Sequence, residues 1–185
     1  MQKIILSNKN GYLINSLKPY LNVIQDKKVF IHFGCPSNKK RFKSKLNLFI
    51  KSRLSTLLII AFCKIFNYKL IYASSMCIFD LSKNLNKFDK LQYYYNLYKF
   101  KNELSIKKYL NNYLILRIPR VYSKTCKKGL LDPENTHFDY SKKLDFITLQ
   151  EFQNCTLKNI NLTGTLNYKT QTKTIKEILE IFKYS

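Results

Sequence analysis

Acidic side chains are scarce in this 185-residue chain: 11 Asp and Glu stand against 33 Lys and Arg, for a formal net charge of +22. Arginine is scarce too, limited to Arg41, Arg53, Arg117 and Arg120. A nucleic-acid binder concentrates Arg and Lys on one element of a recognisable module. Here lysines are spread over the whole length. The charge therefore reads as compositional drift. It argues against a nucleic-acid partner and still favours phosphorylated small molecules. The five cysteines, Cys35, Cys63, Cys77, Cys126 and Cys155, include no CxxC pair and are odd in number. Met1 to Leu6 reads as a short strand rather than a leader, so a reduced, cytoplasmic setting is expected. His32 and His137 lack ligand spacing, and no metal is expected. Leu57 to Phe66 is apolar but broken by Lys64 and too short to span a bilayer. No internal repeat, heptad pattern or linker is present.

What is there suffices for one folded domain with its own core, at 45% hydrophobic content. Lys3 to Leu6 reads as a strand, followed by a turn cluster, Ser7-Asn8-Lys9-Asn10-Gly11-Tyr12, and a helical pattern through Leu13, Leu17 and Leu21. Pro19 should kink or shorten that helix. Lys28 to Phe33 is a second strand, and His32 is most simply one of its residues. Leu46 to Phe66 is a long helix, Tyr68 to Ala73 a third strand, Tyr95 to about Leu110 a helix, and Tyr113 to Ile118 a fourth strand closed by Pro119. Val121 to Asp145 is polar and turn-rich, a substrate-side loop. Phe146 to Thr148 resumes order, Gly164 to Asn167 reads as a last short strand, and Thr172 to Phe182 as a helix capped by Thr172 or Thr174. Strands alternating with helices predict a parallel α/β sheet.

One stretch carries chemistry. The third strand runs into Ser74 and Ser75, and the next helix carries Tyr95 and Lys99 at i, i+4, on one face. A lysine ammonium beside a phenol favours the phenolate, which makes tyrosine a general acid/base for a carbinol or carbonyl oxygen. Ser75 could hold the same oxygen. About two Tyr-xxx-Lys pairs are expected from this composition by chance, so the spacing alone is a weak motif. Its placement after a Ser-Ser strand end is what raises it.

Several segments, in order, resemble the extended short-chain dehydrogenase/reductase family, in its NAD-dependent epimerase/dehydratase branch that acts on nucleotide sugars. Leu70-Ile-Tyr-Ala-Ser-Ser-Met-Cys-Ile-Phe79 is similar to the family's strand with its Ser-Ser-x-x-Val-Tyr ending. Tyr95-xxx-Lys99 with Glu103 is similar to its Tyr-xxx-Lys helix. Leu114-Ile-Leu-Arg-Ile-Pro-Arg-Val-Tyr122 resembles its Leu-Arg-x-x-x-Val-Tyr-Gly strand and turn. Leu144 to Thr148 with Glu151, Gly164 to Asn167 and Ile175 to Ile178 resemble later landmarks. The resemblance implies a reduced Rossmann-like parallel sheet flanked by helices, as a single domain 1–185. Residues 1–122 would form the nucleotide-binding core and 123–185 a small, truncated substrate-side lobe. It implies Tyr95 as acid/base, Lys99 as its tuner and ribose ligand, and Ser75 as the residue orienting substrate. It further implies NAD or NADP held by Ser7, Asn8, Gly11, Tyr12 and Lys99, a nucleotide-sugar substrate touched by Ser75 and Arg120, and a homodimer or a heteromeric partner.

The chain departs from the family where the cofactor is held. The family's first turn is Thr-Gly-x-x-Gly-x-x-Gly; here only Gly11 survives, and Ile14 stands at the last glycine. Only residues 12–28 separate Gly11 from the Val29 strand, where the family fits two further strands and the acid that grips the adenosine ribose. Asp26 is the one acid in that interval, and Lys9, Lys39 or Lys40 are the basic candidates for a pyrophosphate. Three readings follow: a shortened NAD(P)-dependent nucleotide-sugar epimerase, dehydratase or ketoreductase of surface-polysaccharide biosynthesis; an inactive relative serving as a binding or partner subunit; and a basic nucleic-acid-associated protein.

Overall fold

The computed structural model describes residues 3–7, 11–33, 45–82, 90–123, 140–141 and 143–184. In chain order the elements are β1 (Lys3–Ser7), α1 (Tyr12–Leu17), a 3-10 segment Lys18–Val23, β2 (Lys28–His32), α2 (Lys45–Phe66), β3 (Lys69–Ser75), a 3-10 segment Met76–Ser82, α3 (Lys90–Tyr109), β4 (Tyr113–Ile118), β5 (Arg120–Tyr122), β6 (Lys143–Thr148), α4 (Leu149–Asn159), β7 (Gly164–Asn167), β8 (Gln171–Thr174) and α5 (Ile175–Tyr184). Asn8, Lys9, Lys39, Lys40 and most of the expected loop at 121–145 lie outside the described residues.

The expected parallel α/β sheet forms. Its five strands run β1-β2-β3-β4-β7, all parallel. A smaller sheet, β5-β6-β8, continues from β4 past Pro119 and carries α5. Residue 122 does not separate the two sheets: β7 and α4 follow it in the chain yet belong to the large sheet and its core.

Each element has a local cause. The run 45–66 contains neither glycine nor proline and is dominated by Leu, Ile and Lys, which favours an uninterrupted helix. It stops at Asn67, whose φ of 54° is the left-handed residue of a helix terminus, and the Tyr68 N–H closes it onto the Cys63 carbonyl at 2.9 Å. Pro19 acts as expected: α1 ends after six residues, and the chain tightens into the 3-10 turn. α4 opens on a capping box, with the Thr148 hydroxyl accepting from the Glu151 N–H and the Glu151 carboxylate accepting from the Thr148 N–H. Burial raises the Glu151 carboxyl, but the Thr148 and Gln171 hydrogen bonds outweigh it and hold the group below its usual range.

Three boundaries differ from expectation. α3 begins at Lys90, so Tyr95 lies more than a turn inside it. The last strand is β8, not Gly164–Asn167, because Thr172 sits in an antiparallel pair with β6 and bonds Asp145 at 2.5 Å. Thr174 alone therefore caps α5, exchanging bonds with Glu177.

The two faces of the sheet are covered by different helices. Ile14 and Leu17 of α1 join Val29, Ile31, Ile71, Leu114 and Phe152 of α4 in one core. Ile60 and Cys63 of α2 join Leu70, Tyr72, Ile115 and Ile106 of α3 in the other. Burial there pushes the Cys63 thiol up to about 12, so it is a packing residue rather than a nucleophile. Strand order equals chain order, so all four crossovers step the same way across the sheet. Those through α1 and α4 pass over one face, and those through α2 and α3 over the other. The two pairs therefore have opposite hands, and one of them departs from the usual right-handed rule.

The N-terminal ends of the strands are tied by charge. Lys69, 1% exposed, donates to Asp26 at 2.8 Å and to the Asn161 carbonyl at 3.0 Å. Asn112 also donates to Asp26, at 3.4 Å. Asp26→Ala leaves the Lys69 ammonium buried without its carboxylate and should cost about 3 kcal/mol, whereas Lys69→Met, which strands the more exposed Asp26, should cost less. Urea midpoints check both; equal losses would show that the pair, rather than the stranded charge, carries the stability.

Candidate active site

β3 is the most deeply enclosed strand, with all seven residues buried. Its last three residues each meet a polar group. The Ala73 carbonyl accepts from Lys99 Nζ at 2.5 Å. The Ser74 hydroxyl donates to Glu103 Oε1 at 2.5 Å. Ser75 Oγ accepts from the Cys77 N–H at 3.2 Å, which starts the 3-10 segment. Lys99 and Glu103 are one helical turn apart, so adjacent residues of β3 fix both the height and the rotation of α3. Glu103 is held from its other side by Arg117 of β4, through Nε at 3.1 Å to both carboxylate oxygens and Nη2 at 2.7 Å. The guanidinium stacks over Phe79, 5.0 Å from its centroid.

The Lys99 ammonium lies over the ring of Tyr95. Lys99, 3% exposed, lies 5.8 Å from the Tyr95 centroid, 5.8 Å from that of Tyr98 and 5.0 Å from that of Tyr72. Three π faces and a carbonyl compensate an ammonium that has left water. An ammonium carries three donors, and the Ala73 bond uses one. Tyr95 is half-buried and Ser75 is buried on the strand end below. Arg120 is exposed at the start of β5, two residues past Ile118, the register partner of Ser75.

Of the residues expected to hold a cofactor, Ser7, Gly11 and Tyr12 are described. Gly11 is the N-cap of α1 with φ −68° and ψ 136°, extended backbone that any residue adopts. Tyr12 bonds the Ser123 hydroxyl, joining the start of α1 to the end of β5. Ile14, in place of the family's last glycine, is fully buried against the sheet. Ser7 bonds His32 Nδ1 at 2.6 Å, across the C-terminal ends of β1 and β2.

His32 belongs to a buried network that the sequence did not disclose. Its Nε2 meets Thr56 Oγ1 at 3.3 Å. Thr56 donates to the Ser52 carbonyl at 2.9 Å, and Ser7 also reaches the Ile31 carbonyl at 3.4 Å. Asn102 donates to Thr56 and to the Tyr72 hydroxyl, each at 3.0 Å, and accepts from Arg53 at 2.6 Å. Burial lowers the Arg53 guanidinium from its usual value, against the raising effect of Tyr72. The only trace in the sequence was Thr56 and Asn102 on helix faces that also carry core residues.

No family model matches the chain, and no curated protein matches by sequence. Solved structures do match in fold. A hypothetical dTDP-4-dehydrorhamnose reductase from Sulfolobus tokodaii superposes with a TM-score of 0.74 at 15% identity, over 99% of this chain and 82% of that one. The dTDP-4-dehydrorhamnose reductase of Clostridium acetobutylicum gives 0.75 at 16%, over 98% and 80%. An NAD-dependent NDP-hexosamine 5,6-dehydratase of tunicamycin biosynthesis gives 0.72 at 13%, over 98% and 80%. At these identities the likeness is one of fold, and the chain is Rossmann-like.

Glu103→Ala strands the Arg117 guanidinium and the Ser74 hydroxyl and should cost about 3 kcal/mol, with Glu103→Gln losing less. Denaturant melts test this. An unchanged midpoint for Glu103→Ala would show that α3 is held by apolar packing alone.

Proposed function

We propose that the chain is a shortened nucleotide-sugar enzyme of the epimerase, dehydratase or ketoreductase kind, using NAD or NADP, in surface-polysaccharide biosynthesis. The observation that carries this reading is the β3–α3 corner. Lys99 is desolvated against the Tyr95 ring and anchored to the strand that ends in Ser75. The fold likeness to two 4-dehydrorhamnose reductases and an NAD-dependent dehydratase supports the substrate class.

In this reading a bound nicotinamide supplies or accepts the hydride, which no side chain does. Tyr95 gives a proton to, or takes one from, the sugar oxygen. Lys99 favours the phenolate and holds a ribose hydroxyl with donors not used at Ala73. Ser75 holds the sugar oxygen, and Arg120 faces the substrate from β5. Ser7, Gly11 and Tyr12 border the cofactor side, together with Asn8, which is outside the described residues.

Calorimetric titration with NADH and NADPH should show binding of at least one. Tyr95→Phe should keep that binding and lower turnover of a nucleotide sugar about 10²–10⁴-fold. Folded protein that gives no heat with either nucleotide sinks the reading. A second reading, an inactive relative serving as a partner subunit, is favoured by the six-residue α1 and by β1 at the sheet edge. Turnover that Tyr95→Phe abolishes excludes it.

The partner in the first reading is a second copy. α2 and α3 pack side by side and expose Ile50, Leu54, Leu58 and Ile65 on one and Phe100 and Leu104 on the other. Apolar ridges at this spacing are half of a four-helix bundle. Sedimentation should show a dimer for the native chain and a monomer for Leu58→Glu with Ile65→Glu; identical masses remove the second copy.

A further inference from the structure

The sheet decides how much of a dinucleotide this chain can grip. In a complete dinucleotide fold the chain starts at a central strand, builds outward to one side, then returns and builds to the other. The ligand lies across the point of reversal, with one half over each set of strands. Here residues 11–33 are all described, and they contain α1, a 3-10 turn and β2, with no strand between β1 and β2. β1 is consequently the outermost strand.

Half of that topology nonetheless persists. The chain leaves β1 toward the face covered by α1, and the next crossover lies on the opposite face, with α2. The C-terminal ends of β1 and β2, where Ser7 and His32 bond each other, lie between those two crossovers, the place where such folds take a ligand. From there to the Ser75–Lys99 corner is two strand spacings, about 10 Å. That length takes a nicotinamide and its ribose. Continuing the same way, an adenosine would pass beyond β1.

Among the described residues, two further features withhold a grip on that second half. Asp26, the one acid between Gly11 and β2, is bonded to Lys69 and Asn112 at the opposite end of the sheet, so it holds no ribose. α1 is six residues long and gives only a weak dipole to a pyrophosphate.

We infer that the chain recognises the nicotinamide-ribose half of its ligand alone, so that a mononucleotide serves as well as a dinucleotide. This rests on the nicotinamide reading above and goes beyond it by naming the ligand class.

The test is calorimetry on the full chain with reduced nicotinamide mononucleotide, NADH and 5′-AMP. Dissociation constants for the first two should agree within about threefold, and AMP should neither bind nor compete. NADH tighter than the mononucleotide by about tenfold or more, or competition by AMP, overturns the inference and leaves the nicotinamide reading standing. Binding of neither nicotinamide compound overturns both. Saturation-transfer NMR on the NADH complex gives a readout without any variant: the nicotinamide protons should receive saturation and the adenine protons far less. Equal transfer to both rings overturns the inference. Lys99→Met should weaken mononucleotide and dinucleotide by the same factor, and unequal factors count against it.

Discussion

The rest of the molecule depends on how α3 is seated on β3. A helix against a sheet can slide and rotate at little cost if only apolar side chains meet, because such contacts are non-directional. Here two polar side chains one turn apart, Lys99 and Glu103, reach the carbonyl of Ala73 and the hydroxyl of Ser74. Arg117 completes the seat from β4. A shift of α3 would leave a buried ammonium and a buried carboxylate without partners, which costs far more than repacking leucines. Tyr95 inherits its place from that seat. The second tie, Asn102 to Thr56 and Tyr72, locks α2 to the same frame and carries it to His32 and Ser7.

A short interval of chain controls the other half. With only α1 and a 3-10 turn between β1 and β2, the first crossover has no room for outer strands. α1 stays on the face that it shares with α4, where Gln153 donates to the Ser16 carbonyl at 2.8 Å. Ile14 fills the space against the sheet. β1 is left at the edge of the sheet, two strands from the α3 corner, where the packing is most demanding.

Much of this was legible in residues. The long helical stretch from Leu46 to Phe66 announced α2, Pro19 announced the short α1, and Ser-Ser followed by Tyr-xxx-Lys marked the corner. The polar network was not legible. Thr56, Asn102 and His32 are ordinary in composition and far apart in the chain, and only folding brings their hydrogen-bonding groups within reach. Thr172 and Thr174 were equivalent as caps until β8 paired with β6 and took Thr172.

The sequence by itself determined the element order through β4, the parallel sheet and the residues of the corner, because each is written in local periodicity and spacing. It also determined that outer strands between β1 and β2 are absent, because the interval is too short. Tertiary structure alone decided which face each helix covers, that Lys99 lies over the Tyr95 ring, and that Asp26 serves Lys69. Those outcomes turn on which buried charge finds which partner, and partners distant in the chain are chosen only when the core closes around them.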